Sequence, residues 1–323
     1  MRIPLNWLFL FTTTIYHIII TWIENRRYQP PGQMINLDGY QLHLYSKGEG
    51  NPTVVIEHSL GGIDGYFLIE EIAKITRVCI YDRAGYGWSQ MSPKPRCSSE
   101  IVKELDTLLY RAGIEPPYLL VGNSFGSYNV RLYAHHFPEK VFGIVLTDGL
   151  HEEAMLKMPL RLKALTLFFS SGFAMSILGS ILGLVRLLGT VGIFEVIKRE
   201  LAQFPPETRR MVKRSFYRPQ HWLTMWREIW NLEASGRQVI QADNLGDIPL
   251  VSIKARTFLN PTIGNLYIPI KAADKLLEKM HTELLKLSTN CRQLLASRSS
   301  HFVWIDEPEI ILNAIQEVLQ MQG

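Results

Sequence analysis

A chain of 323 residues with 47% apolar and 20% charged side chains can bury a large core, enough for one large or two medium domains. The formal net charge of +4 comes from 34 basic and 30 acidic side chains with no long like-charge block, so nucleic acid is not an expected partner. Cys79, Cys97 and Cys291 are widely separated and lack the paired spacings of a zinc site or a disulfide framework, so no metal or cofactor is expected.

The first element is the N-terminal stretch "IPLNWLFLFTTTIYHIIITWI", residues 3–23, with 21 positions and no formally charged side chain. That length suffices to cross a hydrocarbon core of ~30 Å as a helix. A cleaved signal peptide is the alternative, but the run exceeds an h-region and no small-x-small site follows it. The reading is a retained single-pass anchor over residues 1–27, with a lipid bilayer as partner. Trp7 and Trp22 suit the two interfaces, while Arg2 on one side and Arg26 with Arg27 on the other nearly balance, leaving orientation open.

From residue 30 the chain alternates between strand and helix patterns. "QMINLDGYQLHLYSKG" holds two alternating runs joined at Asp38-Gly39, a hairpin signal. "TVVIEHSLGG" and "TRVCIYDRAGYGWS" are β-branched runs ending in glycines, with the helix-like "GYFLIEEIAKI" between them. Ile101, Leu105, Leu108, Leu109 and Ala112 recur at helical spacing before the apolar "PPYLLVG", and "VFGIVLTDG" follows a further helix. After a long middle section come "IPLVSIKA", the helix-like "AADKLLEKMHTELLKL", "NCRQLLAS" and a closing "PEIILNAIQEVLQ". Such alternation predicts an α/β fold, a mostly parallel sheet with helices on both faces.

Within it, Gly122-Asn123-Ser124-Phe125-Gly126 ends an apolar strand and opens a helix. The glycines permit a sharp turn that lifts the Ser124 hydroxyl clear of the sheet and aims the Phe125 amide at the same point. That context makes Ser124 the candidate nucleophile; a plain polar turn is the alternative.

At these residues the chain resembles the α/β-hydrolase superfamily, over roughly residues 30–150 and 245–320. "HSLGG" is similar to its oxyanion loop, "DRAGYGWS" to its turn after the fourth strand, and "SSHFVWIDEPEIILNAI" to its histidine loop with closing helix. With its N-terminal anchor the chain looks most like a membrane-anchored, serine-nucleophile branch. The resemblance implies that His301 is the general base and that the backbone N–H groups of Leu60 and Phe125 form the oxyanion hole, with Ser59 standing where the family has glycine. The family's acid follows the seventh strand, but "IPLVSIKARTFLNPTIG" has none there. Asp148 after the sixth strand keeps the order serine, acid, histidine; Asp274 is the alternative, and a site without a working acid is the third possibility. Asp82 and Arg83 are read as pinning the turn after the fourth strand, and His58 as supporting its loop. His135, His136 and His281 are read as solvated.

The middle section, residues 151–243, sits where the superfamily inserts a helical cap, dividing the core into residues 28–150 and 244–323. Its segment 164–185 has no charged side chain in 22 positions, yet a crossing there would put Ser124 and His301 on opposite sides of a membrane. It is read as a buried helix pair or an apolar lid. Trp222, Trp226 and Trp230 at spacings of four mark one helix face, read as core and pocket roof. The expected function is serine hydrolysis of a small apolar acyl substrate, an ester, amide or thioester, through an acyl-enzyme. An acyltransferase using the same residues, and a pseudoenzyme that only binds a ligand, are the alternatives. The sequence sets neither the acyl chain nor the oligomeric state.

Overall fold

The computed structural model describes residues 5–197, 201–202, 204–260 and 269–321. After helix α1 (Leu5–Arg27) comes the hairpin of β1 (Gln33–Asn36) and β2 (Gln41–Lys47). The first part of the core follows: β3 (Thr53–Glu57), α2 (Gly65–Ile72), β4 (Val78–Tyr81), α3 (Ser98–Arg111), β5 (Tyr118–Asn123), α4 (Gly126–His136) and β6 (Val141–Thr147). Among the described residues seven helices then form the cap: α5 (Glu152–Leu156), α6 (Leu160–Ile181), α7 (Leu184–Thr190), α8 (Ile193–Ile197), α9 (Pro206–Phe216), α10 (Pro219–Trp230) and α11 (Leu232–Val239). The core resumes with β7 (Leu250–Ala255), α12 (Ile270–Leu284), β8 (Cys291–Ala296), α13 (Val303–Asp306) and α14 (Pro308–Gln320).

All eight strands join one sheet in the order β1-β2-β4-β3-β5-β6-β7-β8. The strands from β4 to β8 pair in parallel, and only the β1–β2 hairpin runs antiparallel to its neighbours. Alternate residues of each central strand enter opposite apolar cores. Val55, Leu120 and Ile144 pack with α3 and α4, whereas Val54, Ile56, Val121 and Val145 pack with α2, α13 and α14. Because both faces are covered, these strands read as continuous apolar runs instead of alternating ones. The chain steps outward from β3 to β4 and then restarts on the other side with β5, so the strand order reverses between β3 and β5. In an open parallel sheet such a reversal leaves a crevice at the carboxyl ends of the strands. The loop after β3 and the turn after β5 both face that crevice.

The cap departs from expectation in two ways. On α10 the buried face is His221, Thr224, Glu228 and Ile229, not the tryptophans. The stripe of aromatic rings lies beside that face, with Trp222 against Phe216 and Phe173, and Trp226 stacked on a largely exposed Trp230. The apolar segment is likewise not a buried helix pair. Helix α6 runs through its glycines without a break to Ile181, turns at Gly183, and leaves much of its surface exposed.

Candidate active site

Ser124 occupies the turn between β5 and α4 with φ at 49°, a left-handed conformation that costs a non-glycine residue roughly 1–3 kcal/mol. The turn can be this tight because Gly126 has no side chain: a Cβ there would lie 2.2 Å from the Glu57 carbonyl oxygen. Asp148, one residue beyond β6, is strained in the same way with φ at 43°. The two strained turns are side by side, and the Ser124 N–H donates to the Thr147 carbonyl at 3.0 Å.

The loop between β8 and α13 brings His301 over both. Its Nε2 lies 2.9 Å from Ser124 Oγ, and its Nδ1 lies 2.5 Å from Asp148 Oδ2. With the acid accepting from Nδ1–H, Nε2 is left as the acceptor facing the serine hydroxyl. Sequence spacing left two acids open, and the geometry separates them. Asp148 reaches His301 because β6 and β7 are neighbours, so an acid at the end of either strand meets the same loop; the Ala255 N–H at the end of β7 donates to Asp148 Oδ1 at 3.0 Å. Asp274 instead accepts from the Thr257 hydroxyl and from the Phe258 N–H at 2.7 Å. It caps the loop after β7, whose Phe258 carbonyl accepts from the His301 N–H and whose ring packs 5.3 Å from the imidazole. Arg256 is exposed at the start of that loop, and residues 261–264 of the acid-free segment lie outside the described residues.

His281 is a correction. It is buried, not solvated, and its Nε2 lies 3.0 Å from Asp148 Oδ1, with Ser252 Oγ 3.3 Å from its Nδ1. The signal was present in the sequence. Ala273, Leu277 and Leu284 form the buried stripe of α12, and His281 falls four residues after Leu277 on the same face. Burial pushes the Asp148 carboxyl up, but hydrogen bonds from His281 and His301, with their nearby charge, outweigh it and hold the group down at about 2.

The loop after β3 carries Leu60, which lines the same cavity as Ser124 and His301. Among the described residues neither the Leu60 nor the Phe125 N–H donates to a protein acceptor. Serine replaces the family's glycine at position 59 without strain, because its N–H and hydroxyl both donate to Asp64, at 2.6 and 2.9 Å. Asp64 also accepts from Asn123 Nδ2 at 3.1 Å, which ties this loop to the serine turn. His58 supports the loop through Nδ1, which accepts the Gly65 N–H, and burial pushes its pKa down, keeping it neutral.

Asp82 pins its turn as expected, accepting from Tyr66 and the Trp88 N–H and pairing with His43. Arg83 does something the motif did not suggest. From behind the loop its guanidinium donates to the His58 and Ser59 carbonyls, both at 2.7 Å, and to Glu57 at 2.9 Å. Its Nε and Nη2 reach the two oxygens of Glu228 on cap helix α10, both at 2.9 Å. Burial disfavours the Arg83 cation, but Glu228 and Glu57 more than offset this and keep it protonated.

Ser124 and His301 lie in a cavity of about 190 Å³ lined chiefly by apolar side chains, among them Leu150, Met158, Phe169, Phe258 and Met280. Chemically, this is a hydroxyl with a proton acceptor at hydrogen-bond distance, a buried anion behind that acceptor, and free backbone donors, in a largely apolar cavity. No group of His, Cys, Asp and Glu suited to a metal ion occurs among the described residues.

Comparison with known proteins agrees with the architecture. Residues 52–174 match the family model described as the alpha/beta hydrolase fold. The YqjL protein of Bacillus subtilis is 26% identical over 285 residues, covering 87% of this chain and 89% of that protein. YbdG of the same organism is 25% identical over 138 residues, 42% of each chain, so the match spans less than half of that relative. Among solved structures, a putative epoxide hydrolase from Pseudomonas aeruginosa superposes with a TM-score of 0.62 at 16% identity, covering 90% of this chain and 95% of that one. The haloalkane dehalogenase DatA from Agrobacterium tumefaciens superposes with a TM-score of 0.65 at 16% identity, covering 90% and 96%. At such identity the likeness speaks for the fold alone. Together with the sheet order and the family model, it establishes that the chain has the α/β-hydrolase fold.

Proposed function

We propose that the chain is a membrane-anchored serine hydrolase that cleaves apolar esters, amides or thioesters through an acyl-enzyme. The observation that carries this reading is the continuous relay from Ser124 Oγ through His301 to Asp148 at the floor of an apolar cavity. Ser124 Oγ adds to the acyl carbonyl carbon as its proton passes to His301 Nε2, and the carbonyl oxygen takes up negative charge facing the Leu60 and Phe125 N–H groups. The imidazolium, balanced by Asp148, returns the proton to the leaving group as the tetrahedral intermediate collapses to the acyl-serine. Water then repeats the sequence, losing its proton to His301 and freeing the acid and Ser124.

The nucleophile argues against epoxide opening or halide displacement, the chemistries named for the two structural neighbours. A serine oxygen attacking an sp³ carbon would form an alkyl ether, which has no carbonyl for water to attack, and the enzyme would stop after one turnover. Helix α1, long enough and apolar enough to span a bilayer, supports the anchor. The test is labelling with a fluorophosphonate in detergent. Ser124 should be the modified residue, and Ser124→Ala should lose labelling together with several orders of magnitude of esterase activity while staying folded. Full activity in the folded variant would overturn the proposal.

A further inference from the structure

We infer that α1 and the α6–α7 corner form one lipid-embedded unit: α6 is immersed in the leaflet without crossing it, and it opens the Ser124 cavity toward the acyl chains of a phospholipid bilayer. The lipid-derived substrate in this statement rests on the proposed serine hydrolase; the immersion does not.

A polar stripe on an otherwise apolar helix carries the inference. Arg186 of α7 is only 2% exposed, and its Nη1 and Nη2 donate to the two carboxylate oxygens of Glu24 at 2.6 and 2.8 Å. The same side chain donates to Thr21 Oγ1 at 3.0 Å and to His17 Nδ1 at 3.1 Å, and Thr13 Oγ1 donates to the Leu182 carbonyl at 2.8 Å. Positions 13, 17, 21 and 24 follow one face of α1 at helical spacing. Contact is close enough to involve the backbone. Gly183 turns the corner with φ at 76°, and a Cβ there would lie 2.3 Å from the Thr13 carbonyl oxygen. Polar groups placed so deep in an apolar helix must find protein partners once no water is at hand, and the corner satisfies them.

This seam sets a depth. Thr13 is eleven residues before Glu24, a rise of ~16 Å along the helix, about half of a ~30 Å hydrocarbon core. If Glu24 sits at the boundary, the Leu182–Gly183 corner reaches close to the midplane. The flanking surfaces match that medium: Leu167 and Phe168 are each 67% exposed, Met175 73% and Leu178 63% on α6, and Phe11, Ile18 and Trp22 are exposed on α1. A patch of this kind marks an interaction surface, and the length and hydropathy of both helices favour lipid over a protein partner.

Crossing is excluded by what holds α6 from behind. It packs along α10, where Phe173 meets Trp222, and α10 is fixed to the core by Glu228 on Arg83. Both ends of α6 therefore return to the same side. Its amino-terminal half also borders a second cavity of about 450 Å³, whose lining includes the exposed Leu160, Leu167 and Trp230. That cavity shares Met155, Met158, Thr166, Ile229 and Leu232 with the Ser124 cavity, so these side chains stand between lipid-facing surface and the site.

The test uses full-length protein in phosphatidylcholine vesicles with Cys291→Ser and one added cysteine, Met175→Cys on α6 or Tyr110→Cys on the exposed face of α3, each carrying a polarity-sensitive fluorophore. At Met175 the probe should be quenched at least twofold by lipids brominated near the acyl midpoint and spared by aqueous iodide; at Tyr110 the reverse should hold. Iodide quenching at Met175 would overturn the inference. So would a probe that is spared by both quenchers and cross-links to a second copy, since the face would then be a dimer interface. Met175→Glu should lower hydrolysis of a long-chain ester embedded in vesicles at least tenfold while leaving a short soluble ester unaffected; an equal effect on both would also count against it. Fluorophosphonate labelling separates the two readings. Protein that is immersed but unlabelled at Ser124 refutes the hydrolase alone, and protein that is labelled but not immersed refutes this inference alone.

Discussion

The core and the cap are built in opposite senses. In the core the central strands bury apolar side chains, with Val54, Ile56, Leu119, Val121 and Val145 all at 0% exposure, and the buried charges have partners, Asp64, Arg83 and Asp148 around the site and Arg96 with Glu104 away from it. In the cap the buried side chains include Arg186, Glu228, His221 and Thr224, while Leu167, Phe168, Met175 and Leu178 face outward. A region with polar contacts inside and apolar ones outside gains nothing from water on its outer face. Its polar contacts serve to bind it, through Glu228 to the core and through Arg186 to α1. The core thus folds around its own apolar content, and the cap is specified by its neighbours.

The largest expected effect tests whether the core holds the whole reaction centre. Asp148→Asn keeps the shape of the acid but removes the charge that orients His301 and balances its cation, so turnover should fall by roughly a hundred- to ten-thousand-fold. Asp274→Asn should cost far less, because that side chain only caps the loop carrying Phe258. If the two losses were reversed in steady-state assays of a short ester, the relay drawn here would be wrong.

How much of this was legible in the sequence follows the same division. Each core element announced itself locally: the elbow glycines around Ser124, the loop ending at His301, the helical spacing of α3. Chain order favours Asp148 over Asp274, but what brings Asp148 to His301 is that β6 and β7 are neighbours, which is a fact of topology. His281 was misread although its spacing on α12 was available, since a histidine in a charged helix looks solvated until the acid opposite it is known. The partners of Arg83 were illegible: Glu228 lies 145 residues further on, and nothing in "HWLTMWREIWNLE" distinguishes a buried glutamate from a solvated one beside three tryptophans.

The next effect tests the bond between the two regions. Removing one partner from a buried ion pair leaves an uncompensated charge, so Glu228→Ala should destabilise the protein by about 3–5 kcal/mol in denaturant unfolding, whereas Glu233→Ala, which breaks an exposed pair with Arg237, should leave the unfolding midpoint essentially unchanged. Because Arg83 also holds the His58 and Ser59 carbonyls, the Glu228 variant should lose turnover of a short ester as well. A variant with native stability and activity would mean that the cap merely rests on the core.

Acid stability gives a smaller and more specific measure. The Asp148 pKa is lowered in the fold to about 2, so the stability it contributes is fully present above its unfolded value of about 4 and is lost as pH falls from there through about 2. Over that interval wild type should lose about 2 kcal/mol more than Asp148→Asn, which has no such proton to bind. Parallel stability curves for the two proteins would show that the carboxylate is not held down as its partners imply.

The smallest effect isolates His281, the residue that turns the core's acid into a doubly supported one. Its Nε2–H shares Asp148 Oδ1 with the Ala255 N–H, while His301 takes Oδ2, so the acid is fixed on both oxygens before any substrate arrives. His281 lies behind the acid and outside the substrate cavity, so losing it should slacken the orientation of His301 without changing how substrate binds. His281→Phe is therefore expected to lower kcat about tenfold with KM unchanged, the order of one hydrogen bond to a charged group. His281→Gln, which can keep a donor near Nε2, should recover most of that loss, and a purely space-filling role would predict the opposite ranking. The same substitution carries a signed effect on pH. Without the His281 hydrogen bond, burial is opposed by fewer interactions and the Asp148 carboxyl rises from its depressed value, so acid unfolding of the phenylalanine variant should begin at higher pH than in wild type.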